Sequence, residues 1–134
     1  MERALHARHV DVMADAVASP SCAAYTSFLL AQSRGEYGVA ATSVLPCFWI
    51  YQDVGERILA AAGDLTNHPY GDWIGTYADP AFAEQTLRVR AIVDRVAEQG
   101  DGSLRGRMAS AGEQAGRYEW MFWDAAWRME AWPV

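Results

Sequence analysis

The sequence predicts an all-α fold. Apolar residues recur at three- and four-residue spacing through most of its 134 residues, and no stretch alternates with period two. Capping pairs and clusters of turn formers break the chain into helix-sized pieces, with no repeats and no low-complexity tracts. The length suits one domain with a core of its own. Half of the residues are apolar and 21% are charged, an ordinary globular balance. The net charge of −6 argues against nucleic acid and anionic membrane surfaces as partners, because both call for basic patches. Six tryptophans and six tyrosines point to a bulky core or an aromatic-lined pocket.

In chain order, Glu2 to about Ala18 reads as a first helix, with Ala4, His9, Val12, Met13, Ala16 and Val17 on its apolar side. Met1–His9 is charged and lacks the apolar segment of a secretory leader. Ser19-Pro20 caps and starts a second helix to about Arg34, with Tyr25, Phe28, Leu29 and Gln32 in one stripe and Gly35 closing it. A long helix from Glu36 to about Ala62 follows, and Gly63–Pro69 is a loop. A short helix covers Tyr70–Tyr77. Asp79-Pro80 caps the next one, which runs to about Gln99 with Phe82, Leu87, Val89, Ile92, Val93 and Val96 on its buried side. Gly100-Asp101-Gly102 is a turn, and Ser103 is expected to cap a last helix reaching about Ala131.

Two helices carry groups suited to chemistry. In the long helix, Pro46 cannot donate a hydrogen bond to the Thr42 carbonyl, so a kink is expected at Thr42–Pro46. Cys47 and Tyr51 are one turn apart on the face that also holds Ala40, Ser43, Val44, Ile50, Val54 and Ile58, so the thiol is expected to point inward. On spacing alone, the commoner reading of such a cysteine is a small buried hydrophobe. In the last helix, Glu119 shares a stripe with Ala111, Gly112, Ala115, Gly116, Phe122, Trp123 and Ala126. A buried carboxyl has a raised pKa and makes a proton donor near neutrality. The competing reading is a rim carboxylate paired with an arginine or a helix terminus. Asp124 and Arg128 read as a surface pair.

Leu45-Pro46-Cys47-Phe48-Trp49-Ile50-Tyr51, followed by Val54-Gly55-Glu56, resembles the core motif of the TenA family. These are thiaminase II enzymes, or aminopyrimidine aminohydrolases, with a heme-oxygenase-like all-α fold. Ala24-Tyr25-Thr26, Trp73-Ile74-Gly75-Thr76-Tyr77 and Tyr118-Glu119-Trp120-Met121-Phe122-Trp123 are similar to three further family segments, in the same order. The resemblance implies that Cys47 is the nucleophile and Glu119 the proton shuttle, with Tyr25, Tyr51 and Tyr77 binding the substrate. It implies hydrolysis of 4-amino-5-aminomethyl-2-methylpyrimidine in thiamin salvage, with slower thiamin cleavage and with no metal or cofactor. A homo-oligomer is also implied, a tetramer in the family. Phe48, Trp49, Trp120 and Trp123 suit pocket or core, with core favoured for most of them.

The resemblance covers the C-terminal part of the family's domain, so residues 1–134 read as one partial TenA-like helical domain. The family's N-terminal helices carry an aspartate that grips the pyrimidine. Asp11 and Asp15 lie on a different helix and do not inherit that role. Without those helices an apolar surface is expected to be exposed, so the rival reading is a non-catalytic helical module that associates through it. Glu2, His6 and His9 have helical spacing for metal ligands, a pattern far more often a solvated face. Two cysteines without framework spacing fit a reducing, cytoplasmic setting, although a Cys22–Cys47 redox pair is conceivable.

Overall fold

A computed structural model describes residues 17–134 as five α-helices, with no strand among them. They are α1 (Pro20–Gln32), α2 (Tyr37–Ala62), α3 (Gly71–Tyr77), α4 (Pro80–Gln99) and α5 (Gly102–Trp127). The expected helix before Ala18, with Glu2, His6, His9, Asp11 and Asp15, lies outside the described residues but for its last two positions, which are not helical.

Local chemistry sets the boundaries. Ser19 is extended, and its hydroxyl accepts from the Cys22 amide at 3.4 Å, while Pro20 takes the first helical position. Asp79 does the same for α4, accepting from the Ala81 amide at 2.7 Å ahead of Pro80. The cap of α5 is Asp101, whose carboxylate accepts from the Leu104 amide at 2.7 Å. The expectation of Ser103 in that role is corrected, because its hydroxyl instead accepts from Arg107 Nη1 at 2.7 Å. Gly63 ends α2 at φ +68°, a backbone conformation with little penalty only for glycine.

Helices α2 and α5 form the central pair. α3 and α4 pack on α2, and α1 lies across α5 and the edge of α2. The apolar core sits where α2, α4 and α5 meet: Val39, Val93, Met108 and Ala111, bordered by Leu45, Val96, Ala97 and Leu104. Small residues allow this approach. A Cβ on Gly38 would stand 2.7 Å from Val96 Cγ1 and 3.0 Å from Met108 Sδ.

Several expected core positions face solvent. On α4 the buried row is Thr86 and Val93, while Leu87 and Ile92 flank it and are exposed. On α2 the buried residues are Gly38, Val39, Thr42, Ser43 and Gly55, whereas Val44 and Ile58 are exposed. On α5 it is Ala125, not Ala126, that is buried. Trp120 is 66% exposed, and Trp49 is half exposed with the Arg90 guanidinium 4.1 Å above its ring. A helical period orders residues around an axis, but the neighbouring elements decide how wide the covered arc is. α2 continues as helix through Pro46. One turn earlier, the Thr42 and Ser43 hydroxyls donate to the Gly38 and Val39 carbonyls, both at 2.8 Å.

Candidate functional site

The site is built from the second halves of α2 and α5. On α5, Ala111, Ala115 and Glu119 form one row at four-residue spacing, and all three are buried. Gly112 beside this row brings α2 close: a Cβ there would be 3.0 Å from Thr42 Cγ2. Glu119 is thereby enclosed to 1% exposure, so it is not a rim carboxylate.

Its oxygens are treated differently. Oε1 accepts from the Tyr25 hydroxyl at 2.7 Å, a buried bond across the α1–α5 contact. Oε2 is enclosed without a hydrogen bond of normal geometry, and so is the indole nitrogen of Trp123, one turn further along α5. Burial pushes the Glu119 carboxyl above the usual range. The Tyr25, Cys47 and Trp123 side chains pull it part of the way back. The Tyr25 phenol is driven far above its ordinary value, by burial first and then by the bond to Glu119, with Cys47 and Tyr51 adding to the effect.

The Cys47 side chain therefore reaches the Glu119 carboxylate from α2, and Tyr51 follows it by one turn. Along α2, Ser43 and Gly55 are buried at the two ends of the row Ser43, Cys47, Tyr51, Gly55. Cys47 between them is exposed. Cys47 lies on the inner face as its spacing implies, but the reading of a small buried hydrophobe is corrected, because that face opens to solvent there.

Aromatic rings continue the wall. Tyr51 lies with its ring centroid 4.9 Å from Tyr77, 5.1 Å from Trp123 and 6.4 Å from Trp73. Tyr77 also meets Phe82 edge-on at 5.2 Å. Gly55 seats α3 against α2, since a Cβ there would be 2.7 Å from both the Tyr77 carbonyl carbon and its Cβ. Tyr118 stacks on Tyr25 at 5.6 Å. Tyr25, Cys47, Tyr51, Tyr77 and Glu119 thus come from four helices into one neighbourhood. It holds a carboxyl that favours its proton, a thiol, and flat apolar faces suited to a planar ring.

Sequence reasoning undervalued three members. Trp123 was left open between pocket and core, yet its indole nitrogen lies beside Glu119, and its position four residues after Glu119 was the available signal. Trp73 joins the wall between Tyr77 and Trp123. Tyr118, adjacent in sequence to Glu119, backs Tyr25. Among the described residues no cluster of potential metal ligands occurs, and no helix is long and apolar enough to cross a membrane.

Similarity to known proteins extends over most of the chain. It is 33% identical over 116 residues to an aminopyrimidine aminohydrolase of Bacillus subtilis, covering 85% of this chain and 48% of that protein. A second aminopyrimidine aminohydrolase, from Halalkalibacterium halodurans, is 31% identical over 111 residues, 81% of this chain and 49% of its own. The thiamine biosynthesis multifunctional protein ThiED of Corynebacterium efficiens is 39% identical over 93 residues, 69% of this chain and 12% of its own. The chain spans about half the length of the two aminohydrolases. The model of the TENA/THI-4/PQQC family matches residues 9–129, and the chain belongs to that family.

Proposed function

We propose that this chain carries the nucleophile and proton-transfer half of a cysteine-dependent aminopyrimidine hydrolase site that acts in thiamin salvage. The observation that carries this reading is the buried Glu119, with Oε1 held by Tyr25 and Oε2 unpaired, beside Cys47 and a wall of aromatic rings. The aminohydrolase names of two relatives agree with it.

The chemistry follows from the groups. An amine on a methylene attached to a pyrimidine is a poor leaving group while the ring is aromatic. Addition of the Cys47 thiolate to an electron-poor ring carbon breaks that aromaticity. The ring electrons then expel the exocyclic amine, which takes the proton of Glu119 and departs as ammonia. Water adds to the exposed methylene carbon, returns a proton to Glu119, and the thiolate leaves as the ring rearomatises. The sum is aminomethyl-pyrimidine plus water giving hydroxymethyl-pyrimidine plus ammonia. Tyr51 and Tyr77, packed on each other and on Trp123, offer the ring an aromatic face, and the Trp123 indole nitrogen lies beside the Glu119 carboxyl.

The test is ammonia release from 4-amino-5-aminomethyl-2-methylpyrimidine by the purified chain and by Cys47→Ser. Turnover by the parent chain and none by the variant, at unchanged helicity, is expected. Equal turnover by both would remove Cys47 from its role. A second reading, a non-catalytic module that associates through the exposed Val44, Trp120 and Met121, predicts a folded oligomer with no turnover at all.

A further inference from the structure

The tail beyond α5 turns back to the start of α1. Met129 adopts φ +51°, and the amides of Met129 and Glu130 bond to the Ala126 and Ala125 carbonyls at 3.2 and 2.8 Å. This is the helix-ending motif that usually places glycine at its left-handed position. Met129 is 86% exposed, so no burial of its side chain offsets the strained backbone. What the turn achieves is the delivery of Glu130. Its Oε2 accepts from the Ser21 amide at 2.8 Å and its Oε1 from the Ser21 hydroxyl at 3.0 Å, across 109 positions of sequence. Two residues on, the Trp132 indole donates to the Ala18 carbonyl at 2.8 Å.

These contacts complete an otherwise deficient cap. Of the first four positions of α1, Pro20 has no N–H, Cys22 donates to the Ser19 hydroxyl and Ala23 to the Ser19 carbonyl. The Ser21 N–H is the one left over, and Glu130 takes it. The Glu130 carboxyl is accordingly held below its ordinary range by the Ser21 amide, with the Ser21 and Ser19 hydroxyls and Arg128 adding to the effect. A negative charge at this end also suits the helix dipole. Ser21 and Tyr25 are the two buried residues of α1, one turn apart on the same face. A group bound to Ser21 is thus one helical turn from Tyr25 on the face that packs against α5.

We propose that Glu130 is a positioning residue for the site: by capping α1 through Ser21, it holds the Tyr25 hydroxyl on Glu119. Its effect on turnover rests on the function proposed above, whereas the coupling of Glu130 to Tyr25 does not. The ionisable and polar groups facing Glu119 are Tyr25 from α1, Cys47 from α2 and Trp123 from its own helix, and only Tyr25 is under the control of the tail.

The experiment follows the ring Cζ resonance of Tyr25 by NMR of ring-labelled tyrosine at neutral pH, which reports on the hydrogen bond its hydroxyl donates to Glu119, assigned with Tyr25→Phe. The parent chain is compared with Glu130→Ala, Glu130→Gln and Ser21→Ala. Glu130→Ala should loosen the bond from Tyr25 to Glu119 and move that resonance toward the position of a solvent-exposed tyrosine. Glu130→Gln retains an acceptor for the Ser21 amide and should shift it less. Ser21→Ala loses only the hydroxyl bond and should resemble it, so either reads the coupling if Glu130→Ala does not fold. In parallel, kcat should fall about tenfold in Glu130→Ala with KM little changed. That loss should shrink when Tyr25→Phe is already present. An unmoved Tyr25 resonance in Glu130→Gln and Ser21→Ala, with only the melting temperature lowered, would overturn the proposal. A shifted Tyr25 resonance in the variants, with no turnover by the parent chain, would keep Glu130 in its place and refute the hydrolase reading instead.

Discussion

The two ends of the α2–α5 pair are built from the same two helices but finished differently. At the end formed by Gly38, Val39 and Thr42 against Met108 and Ala111, side chains interlock, and the Thr42 hydroxyl is satisfied within its own helix. At the other end, Cys47, Tyr51 and Gly55 face Glu119, Trp123 and Tyr77. There an exposed thiol, an unpaired carboxylate oxygen and an unpaired indole nitrogen sit together. Buried polar atoms without partners are costly and rare in folded proteins. Their concentration at one end of a pair that is closed at the other is what the proposed site is built on.

Substitutions can break this contrast or sharpen it. The largest effect is expected from Glu119→Gln, which keeps the shape and an acceptor for Tyr25 but cannot transfer a proton. kcat should drop by roughly 10²–10⁴ with a smaller change in KM. The same variant should reverse the usual sign for stability. The Glu119 carboxyl has a higher pKa folded than unfolded. Its contribution is therefore full below the unfolded value and is lost as pH rises through the folded one. Glu119→Gln should flatten that decline in a series of melting curves and be no less stable than the parent at pH 8. Glu130 behaves oppositely. Its carboxyl is lowered in the folded chain, so its contribution is present at neutral pH and is lost as pH falls.

Next in size are two glycine substitutions, one at each end. Gly55→Ala forces a Cβ to 2.7 Å from backbone and Cβ atoms of Tyr77 and 3.0 Å from the Ala78 nitrogen, so α3 must move. A loss of about 3 kcal/mol in denaturant melts is expected, with Tyr77 displaced from Tyr51. Gly38→Ala meets only side chains, those of Val96, Met108 and Leu104, rather than backbone, and should lose less, about 1–2 kcal/mol, with turnover unchanged. Equal losses would mean that the two ends are equally rigid. The smallest effect is expected from Arg107→Ala. It removes an exposed ion pair in which Arg107 Nε and Nη2 approach Glu36 Oε2 at 2.8 and 2.6 Å, and should cost under about 1 kcal/mol.

Much of the fold was legible because its punctuation is local. Ser19-Pro20 and Asp79-Pro80 start helices through side chains two or three residues from the amides they bind. The error at α5 came from two good capping residues in succession, Asp101 and Ser103, whose roles depend on where Arg107 reaches. In the site, the one-turn spacing of Cys47 and Tyr51 and the placement of Glu119 on an apolar stripe were readable from period alone. The exposure of Cys47 was not, because a period names a face without saying what covers it. Trp49 and Trp120 misled for a related reason: aromatic rings also lie on surfaces, here one of them under Arg90. The bond from Glu130 to Ser21 was out of reach, since the turn at Met129 that creates it uses a residue with no turn preference.

The pH dependence of kcat in the parent chain and in Glu119→Gln tests the central claim most directly. In the proposed mechanism Glu119 holds its proton to expel the amine, so turnover of the parent should decline as pH rises through the raised carboxyl pKa. The residual turnover of the variant should lack that decline. The same decline in both proteins would show that another group supplies the proton, and Glu119 would revert to a structural anchor for Tyr25.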